Sequence, residues 1–450
     1  MPKQVPNQEQ LKPMNWENLL IQDRFFLDNL SVNESFRSQF HKDQDRVVFS
    51  TAFRKLAGKT QVHPLSISDR IHNRLLHSLE VGSVGRSLGV QVGYHIIDEL
   101  PQNISPDDIG VIVQNACLVH DIGNPPFGHA GEYAIQDWSK QHPEFFEMLP
   151  KNKLGDFENF EGNAQGFRLL IQTENHFNEG GLRLTYPTLA SSLKYPWTQD
   201  NRPNNKKFSV NHSEKHQLET LMYRLGIPVN NKGQYARHPL SYLMEAADDI
   251  CYALMDLEDA VMLNILTFKE VTDIFQAIHG QQLFDFKSTS VGDSKQLSAL
   301  RGKVIDVLID QVAKTFAQNL NLIMSGKLEG DIFAHCPEHI KQGIYQAKEL
   351  ARTKVFISSK KTQVEIAAYS VLSTLLNLFI PAGFELHQKK DFEKLSYRSQ
   401  RALQLMEDEA PQSSMSAYDI YSRMYDFIAS MTDQHASTLA KQISDPIAFY

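Results

Sequence analysis

Apolar positions recur along most of this chain at helical spacing, and alternation at the period of a strand is rare. Ser105-Pro106-Asp107-Asp108 reads as a helix start: a capping serine, a proline at the first helical position and acids in the first turn. Ile109, Ile112, Val113, Ala116 and Cys117 continue it on one side, and the pattern stops at Gly123. Pro239 opens a second run, in which Leu243, Met244, Ala247, Ile250, Cys251 and Leu254 share a face. Further helical patterns cover roughly 70–90, 210–225, 300–325, 338–356, 362–380, 390–408 and 416–440. Prolines fall between the runs, Pro125-Pro126, Pro337, Pro381 and Pro411 among them, and mark their ends. The segment 195–207, YPWTQDNRPNNKK, reads as a polar loop. No repeat or low-complexity tract interrupts the series. The pattern predicts an all-α protein with an N-terminal segment (1–40), a core (41–280) and a helical extension (281–450) packed on that core as one unit.

Composition narrows the class. The 450 residues suit one large helical domain or up to three smaller ones, and 42% apolar with 22% charged residues describes an ordinary globular chain. Lys and Arg number 45 against 53 Asp and Glu, a net charge of −8, which argues against one large basic face for nucleic acid. The three cysteines, Cys117, Cys251 and Cys336, are too scattered for a disulfide framework and favour a reducing compartment. The start of the chain lacks the apolar run of a secretory signal, so a cytoplasmic protein is expected. The most apolar stretch, Ile366 to Ile380, carries Ser370, Ser373, Thr374 and Asn377 and reads as a buried helix, with no membrane partner.

Several familiar motifs fail. Gly58-Lys59-Thr60 looks like the end of a phosphate-binding P-loop, but position 53 is Phe where the earlier glycine is required. GxGxxG, HExxH and GxSxG are all missing. The informative stretch is LVHDIGNPPFGH, where His120 and Asp121 end an apolar helix and a Gly/Pro turn follows. At a helix terminus the backbone leaves helical geometry, so two adjacent side chains can converge on one point. An imidazole nitrogen beside a carboxylate oxygen suits a divalent transition metal. His77, one turn after Arg74 on an amphipathic helix, and Asp248, an acid inside an otherwise apolar one, offer two more donors. Singly, each has a structural reading. In the order His, His-Asp, Asp they form the signature of the HD phosphohydrolase superfamily, which the chain resembles.

The resemblance is closer than that. NRLLHSLEV, HDIGNPPFGHAGE, FEGNAQGFRLL, LKYPW, EAADDICYALMDLEDA and YDFIASMTD resemble blocks of the bacterial deoxyguanosinetriphosphate triphosphohydrolases, in family order from about residue 40 to 435. Ser430 departs from the pattern, because family members commonly carry Gly before Met-Thr-Asp. The resemblance implies an HD-domain helical fold with His77, His120, Asp121 and Asp248 as ligands of one divalent ion, Mn, Mg, Co or Fe. It assigns His129 and Glu132 to catalysis: on a helix start, Glu132 reaches back to orient the imidazole for acid–base work. The implied reaction cleaves dGTP at the α-phosphate into deoxyguanosine and inorganic triphosphate. The alternative is an HD hydrolase of other nucleotides, a broad dNTP triphosphohydrolase or a nucleotidase.

Substrate contacts follow in the same way. Asp248, Tyr252 and Asp256 fall at i, i+4 and i+8 on one helix face. That gives a ruler with metal at Asp248, the Tyr252 ring against the sugar and the Asp256 carboxylate on the 3′-hydroxyl. Lys194 and Tyr195, with Lys206-Lys207, match the family's phosphate-contacting segment, and Arg74 is a further cation beside a ligand. Asn163 and Arg168 are expected in the substrate shell, and Arg423 to reach the nucleotide or an effector. A homo-oligomer, a hexamer in many members, and single-stranded DNA as an effector are also implied.

Overall fold

Two neighbouring helices carry part of the site, and four glycines explain how closely they pack. The computed structural model describes residues 13–27, 37–61, 73–174, 180–204, 206–280, 292–355 and 359–445. Arg74–His95 starts on Asn73, whose side chain accepts from Leu76 N at 2.9 Å. Pro106–Val119 starts on the expected cap, now a full box: Asp108 N donates to Ser105 Oγ, and Ser105 N to Asp108 Oδ2. Gly82, Gly85, Gly89 and Gly93 face this second helix. A Cβ at Gly89 would stand 2.7 Å from Gly110 Cα, and one at Gly93 equally close to Pro106 Cα. Bare backbone on this stripe therefore permits the approach. Ser241–Met262 packs across both helices, and their apolar sides merge in one core with Asp293–Gln318 and Glu338–Leu350.

A second core lies beside the first. Ser359–Lys389 packs on His129–Gln141, Tyr397–Gln404, Ala417–Ala429 and Asp433–Ser444, burying Leu372, Leu376, Phe379, Tyr421 and Met424. Within this helix the portion from Thr362 is long and apolar enough to cross a membrane, and 44% of its most apolar window is buried against those neighbours. Among the described residues there are helices and isolated bridges but no strand, so the protein is all-α. The expected boundary near 281 lies outside the described residues.

Some boundaries differ from expectation. Pro381 does not end its helix but sits inside Ser359–Lys389. A proline there forfeits one backbone hydrogen bond, and burial of Phe379, Ile380 and Ala382 around it offsets the loss. The run from Pro239 becomes helical only at Ser241. The 416–440 pattern splits, because Thr432 caps a new helix by accepting from His435 N at 3.2 Å. Ser430 sits just before that break at φ −75, which any residue adopts.

Buried polar links tie the second core to the site region. Arg168, expected near substrate, instead spans Asp426 (Nε–Oδ1 2.9 Å) and Glu214 (Nη1–Oε1 2.7 Å). Those two carboxylates neutralise it inside the fold. Tyr418 Oη donates to Asp156 Oδ2 at 2.6 Å, and His212 N donates to the same oxygen at 2.9 Å. Burial pushes the Asp156 carboxyl from 3.8 up to about 7, with Glu214 and Asp200 adding to it against those hydrogen bonds. The folded state therefore binds this proton more tightly than the unfolded chain. The resulting stabilisation is complete below about pH 4 and is lost as pH rises through about 7. Asp156→Asn should remove this dependence, so thermal melts between about pH 5 and 8 should fall less steeply than in wild type. Parallel melting curves would refute it.

Candidate functional site

Three helices bring three donors to one point. His77 lies on the first turn of Arg74–His95, His120 at the C-cap of Pro106–Val119, and Asp248 in the middle of Ser241–Met262. Their ligand atoms lie within 4.8 Å of one another. Asp248 Oδ1 is 3.2 Å from His77 Nε2 and 3.5 Å from His120 Nε2. His120 Nδ1 donates to the Cys117 carbonyl at 2.6 Å, which fixes the ring and turns Nε2 inward. Two imidazole nitrogens and a carboxylate, oriented in this way, fit a divalent cation. Burial opposes charge on His120, yet Asp121 and Asp248 outweigh it and raise the imidazole to about 9. The cluster attracts positive charge, as a cation site should.

Asp121 stands one step back from this trio. Its carboxylate is paired with Arg74 and accepts from Asn124 Nδ2 at 2.6 Å, with Oδ1 3.7 Å from His120 Nε2. Burial works against its charge, but Arg74 above all, then His120 and His77, hold it far below the usual carboxylate range. Arg74 is thus first a partner of a candidate ligand.

His129 opens the helix His129–Gln141, and its Nδ1 lies 2.5 Å from Glu132 Oε2. The other Glu132 oxygen accepts from Gly162 N at 2.7 Å, so the carboxylate is held at both ends. Burial opposes its charge, yet the bond from His129 and the charges of His129 and Lys207 keep its carboxyl below the ordinary value. A carboxylate accepting from Nδ1 leaves Nε2 as the free, basic nitrogen. The His129 side chain is 66% exposed, so that nitrogen faces the open site.

A cavity of about 350 Å³ joins these parts, within the range that accommodates a nucleotide-sized ligand. Arg74, Asn163, Lys194, Tyr195, Lys207 and Tyr252 line it together with the donors and His129. Residues 195–197 and 207–209 are tied together, and this sets Lys194 and Lys207 on the same wall. Trp197 Nε1 donates to the Lys207 carbonyl at 2.8 Å, and Ser209 N donates to the Tyr195 carbonyl at 3.0 Å. Lys194 Nζ is 3.1 Å from Glu245, which also holds Arg237 at 2.6 Å, and Lys207 Nζ is 3.5 Å from Glu161. Burial disfavours both ammonium groups, but Glu245 at Lys194 and Glu132 with Glu161 at Lys207 raise them above the ordinary lysine value. Both stay charged.

Two expected contacts lie elsewhere. Asp256 is buried and does not line the cavity, because two helical turns beyond Asp248 the face has entered the core. Arg423 lines a different cavity, with Lys55, Lys59 and Glu174. Sequence reasoning also missed Gln61, Asn124, Ser192 and Met244 in the lining. Asn124 was within reach, being part of the HDIGN block. Lys59, set aside with the failed P-loop, is buried and donates to the carbonyls of Asn124 (2.6 Å) and Ala429 (2.8 Å). It fastens the turn after the His-Asp pair to the C-terminal helices.

The HD domain family matches residues 74–181. A deoxyguanosinetriphosphate triphosphohydrolase-like protein of Pseudomonas aeruginosa is 44% identical over 440 residues, covering 96% of this chain and 99% of that protein. A protein of the same description from Synechocystis is 35% identical over 96% of this chain and 99% of its own length. The deoxyguanosinetriphosphate triphosphohydrolase of Yersinia enterocolitica is 30% identical, covering 88% and 92%.

Proposed function

This chain belongs to the deoxyguanosinetriphosphate triphosphohydrolase family of HD-domain hydrolases, and on that premise we propose that it hydrolyses dGTP to deoxyguanosine and inorganic triphosphate by attack at the α-phosphate. The observation that carries this reading is one continuous cavity running from the donor trio, past His129, to Lys194 and Lys207.

In this reading His77, His120 and Asp248 hold a divalent ion, with Asp121 beside them as the fourth donor. Mn, Mg, Co and Fe all accept this mixture of nitrogen and oxygen. When bound, such an ion polarises a phosphate and acidifies a water. The chain's own residues supply the rest. His129, steadied by Glu132, moves a proton at the scissile phosphate through its free Nε2. Lys194, Lys207 and Arg74 offset the roughly four negative charges of a triphosphate. Tyr252, on the wall one turn from Asp248, takes the deoxyribose and leaves no room for a 2′-hydroxyl.

Chromatography of the products from each dNTP, with Mn or Mg, tests the reading. Tripolyphosphate should appear, most rapidly from dGTP. Equal turnover of all four nucleotides would replace dGTP specificity with a broad dNTP activity. Release of pyrophosphate or orthophosphate in its place would rule out attack at the α-phosphate.

A further inference from the structure

Two charged residues stand behind the cavity wall and reach the cavity through Lys194. Glu245 and Arg237 are not among its lining residues, and each side chain is 12% exposed. Glu245 Oε1 lies 3.1 Å from Lys194 Nζ, and Oε2 accepts from Arg237 Nη1 at 2.6 Å. Arg237 is itself held by several contacts. Its Nε donates to Ser241 Oγ and its Nη2 to the Ser241 carbonyl, both at 3.0 Å. Its guanidinium also stands 4.1 Å above the Tyr242 ring. Lys194 lies outside the helices, and its flexible four-carbon stem leaves the ammonium to be placed by Glu245, with the Tyr195 ring 5.7 Å away.

The place of Glu245 on its helix decides where that ammonium stands. It precedes Asp248 by three residues on Ser241–Met262, about 4.5 Å along the axis, and Tyr252 follows Asp248 by four. The three share one helix face, so one rigid element sets the anchor of Lys194, a metal donor and the sugar wall. We propose that Glu245 and Arg237 are positioning residues for substrate binding: Glu245 presets Lys194 beside the donors, and Arg237 keeps Glu245 paired when Lys194 turns to a phosphate oxygen. The proposal rests on the functional reading above. Without Arg237, each transfer of Lys194 to substrate would strand a buried carboxylate, which is costly. Without Glu245, Lys194 would give up its rotamer freedom only on binding, and affinity would fall by that entropy.

The test removes both charges at once, because Arg237→Gln/Glu245→Gln leaves the local net charge unchanged and alters only the hold on Lys194. Inorganic tripolyphosphate is titrated calorimetrically, at constant free metal, into wild type, this variant, Lys194→Ala and the triple variant. The neutral pair should bind tripolyphosphate about three- to tenfold more weakly than wild type. In the Lys194→Ala background the same two changes should cost nothing further, because they act through that lysine. In steady state, KM for the dNTP should rise by more than kcat falls, the mark of lost uniform binding. Arg237→Lys, which keeps the charge without the fork, should weaken binding in the same way and replaces the neutral pair if that variant does not fold. Unchanged affinity in the folded variants, or an equal loss with and without Lys194, overturns the proposal. A turnover mixture without tripolyphosphate would count against the functional reading, while the titrations still decide the positioning pair.

Discussion

Asp248→Ala should lower kcat by at least about a thousand-fold and remove most of the bound divalent metal, with little change in the fold. The size follows from position. One oxygen of Asp248 faces both imidazoles, at 3.2 and 3.5 Å, so its loss removes the only carboxylate among the three converging donors. Two neutral imidazoles hold a divalent ion far less well than two imidazoles with an anion. Asp248→Asn preserves the shape without the charge and should lose nearly as much. Metal content by mass spectrometry, beside kcat and a thermal melt, checks the prediction. An active, metal-replete variant would remove Asp248 from the site.

Gly123→Ala should destabilise the protein by about 3 kcal/mol or more, a larger effect than most single substitutions. Gly123 follows the His-Asp pair by two residues and packs directly on the start of Gly162–Arg168. A Cβ there would lie 2.6 Å from Gly166 Cα and still closer to Gly166 N and the Gly162 carbonyl oxygen. All three are backbone atoms and cannot rotate away. The turn must then shift, and Asp121 and Asn124 shift with it. Gly302→Ala is the control, because nothing lies within 4 Å of a Cβ at that helical position. It should be neutral or stabilise by up to about 1 kcal/mol. Chemical denaturation of both variants measures the difference, and similar stabilities would show that the contact at Gly123 yields.

The site was more legible in the sequence than the scaffold around it. His120 and Asp248 sit on helices whose apolar positions recur at helical spacing, so their faces could be assigned before their meeting point was known, whereas the helix of His77 packs through glycines and only the NRLLHSLEV block marks it. The Ser105–Asp108 cap was equally local. What could not be read depends on partners remote in the chain. Arg168 looks like a substrate residue until Asp426, 258 positions away, neutralises it. Lys59 looks like a failed phosphate loop until it meets the Ala429 carbonyl. Pro381 looks like a helix end until packing on both sides holds its helix together. The helices Gln39–Val48 and Phe268–His279 lie outside the predicted runs, although both are amphipathic and Thr267 and Glu270 form a full capping box.

The spread of the three donors along the chain has a consequence for folding. The HD match ends at residue 181, and Asp248 lies 248 − 181 = 67 residues beyond it. His77 and His120 can meet once two neighbouring helices dock, a short-range event. The third donor arrives only after a long segment has been closed into place, which makes it a late, entropically costly contact. During refolding, tight metal uptake should therefore lag behind the growth of helical signal. The module from 74 to 181 would not by itself carry a complete set of donors.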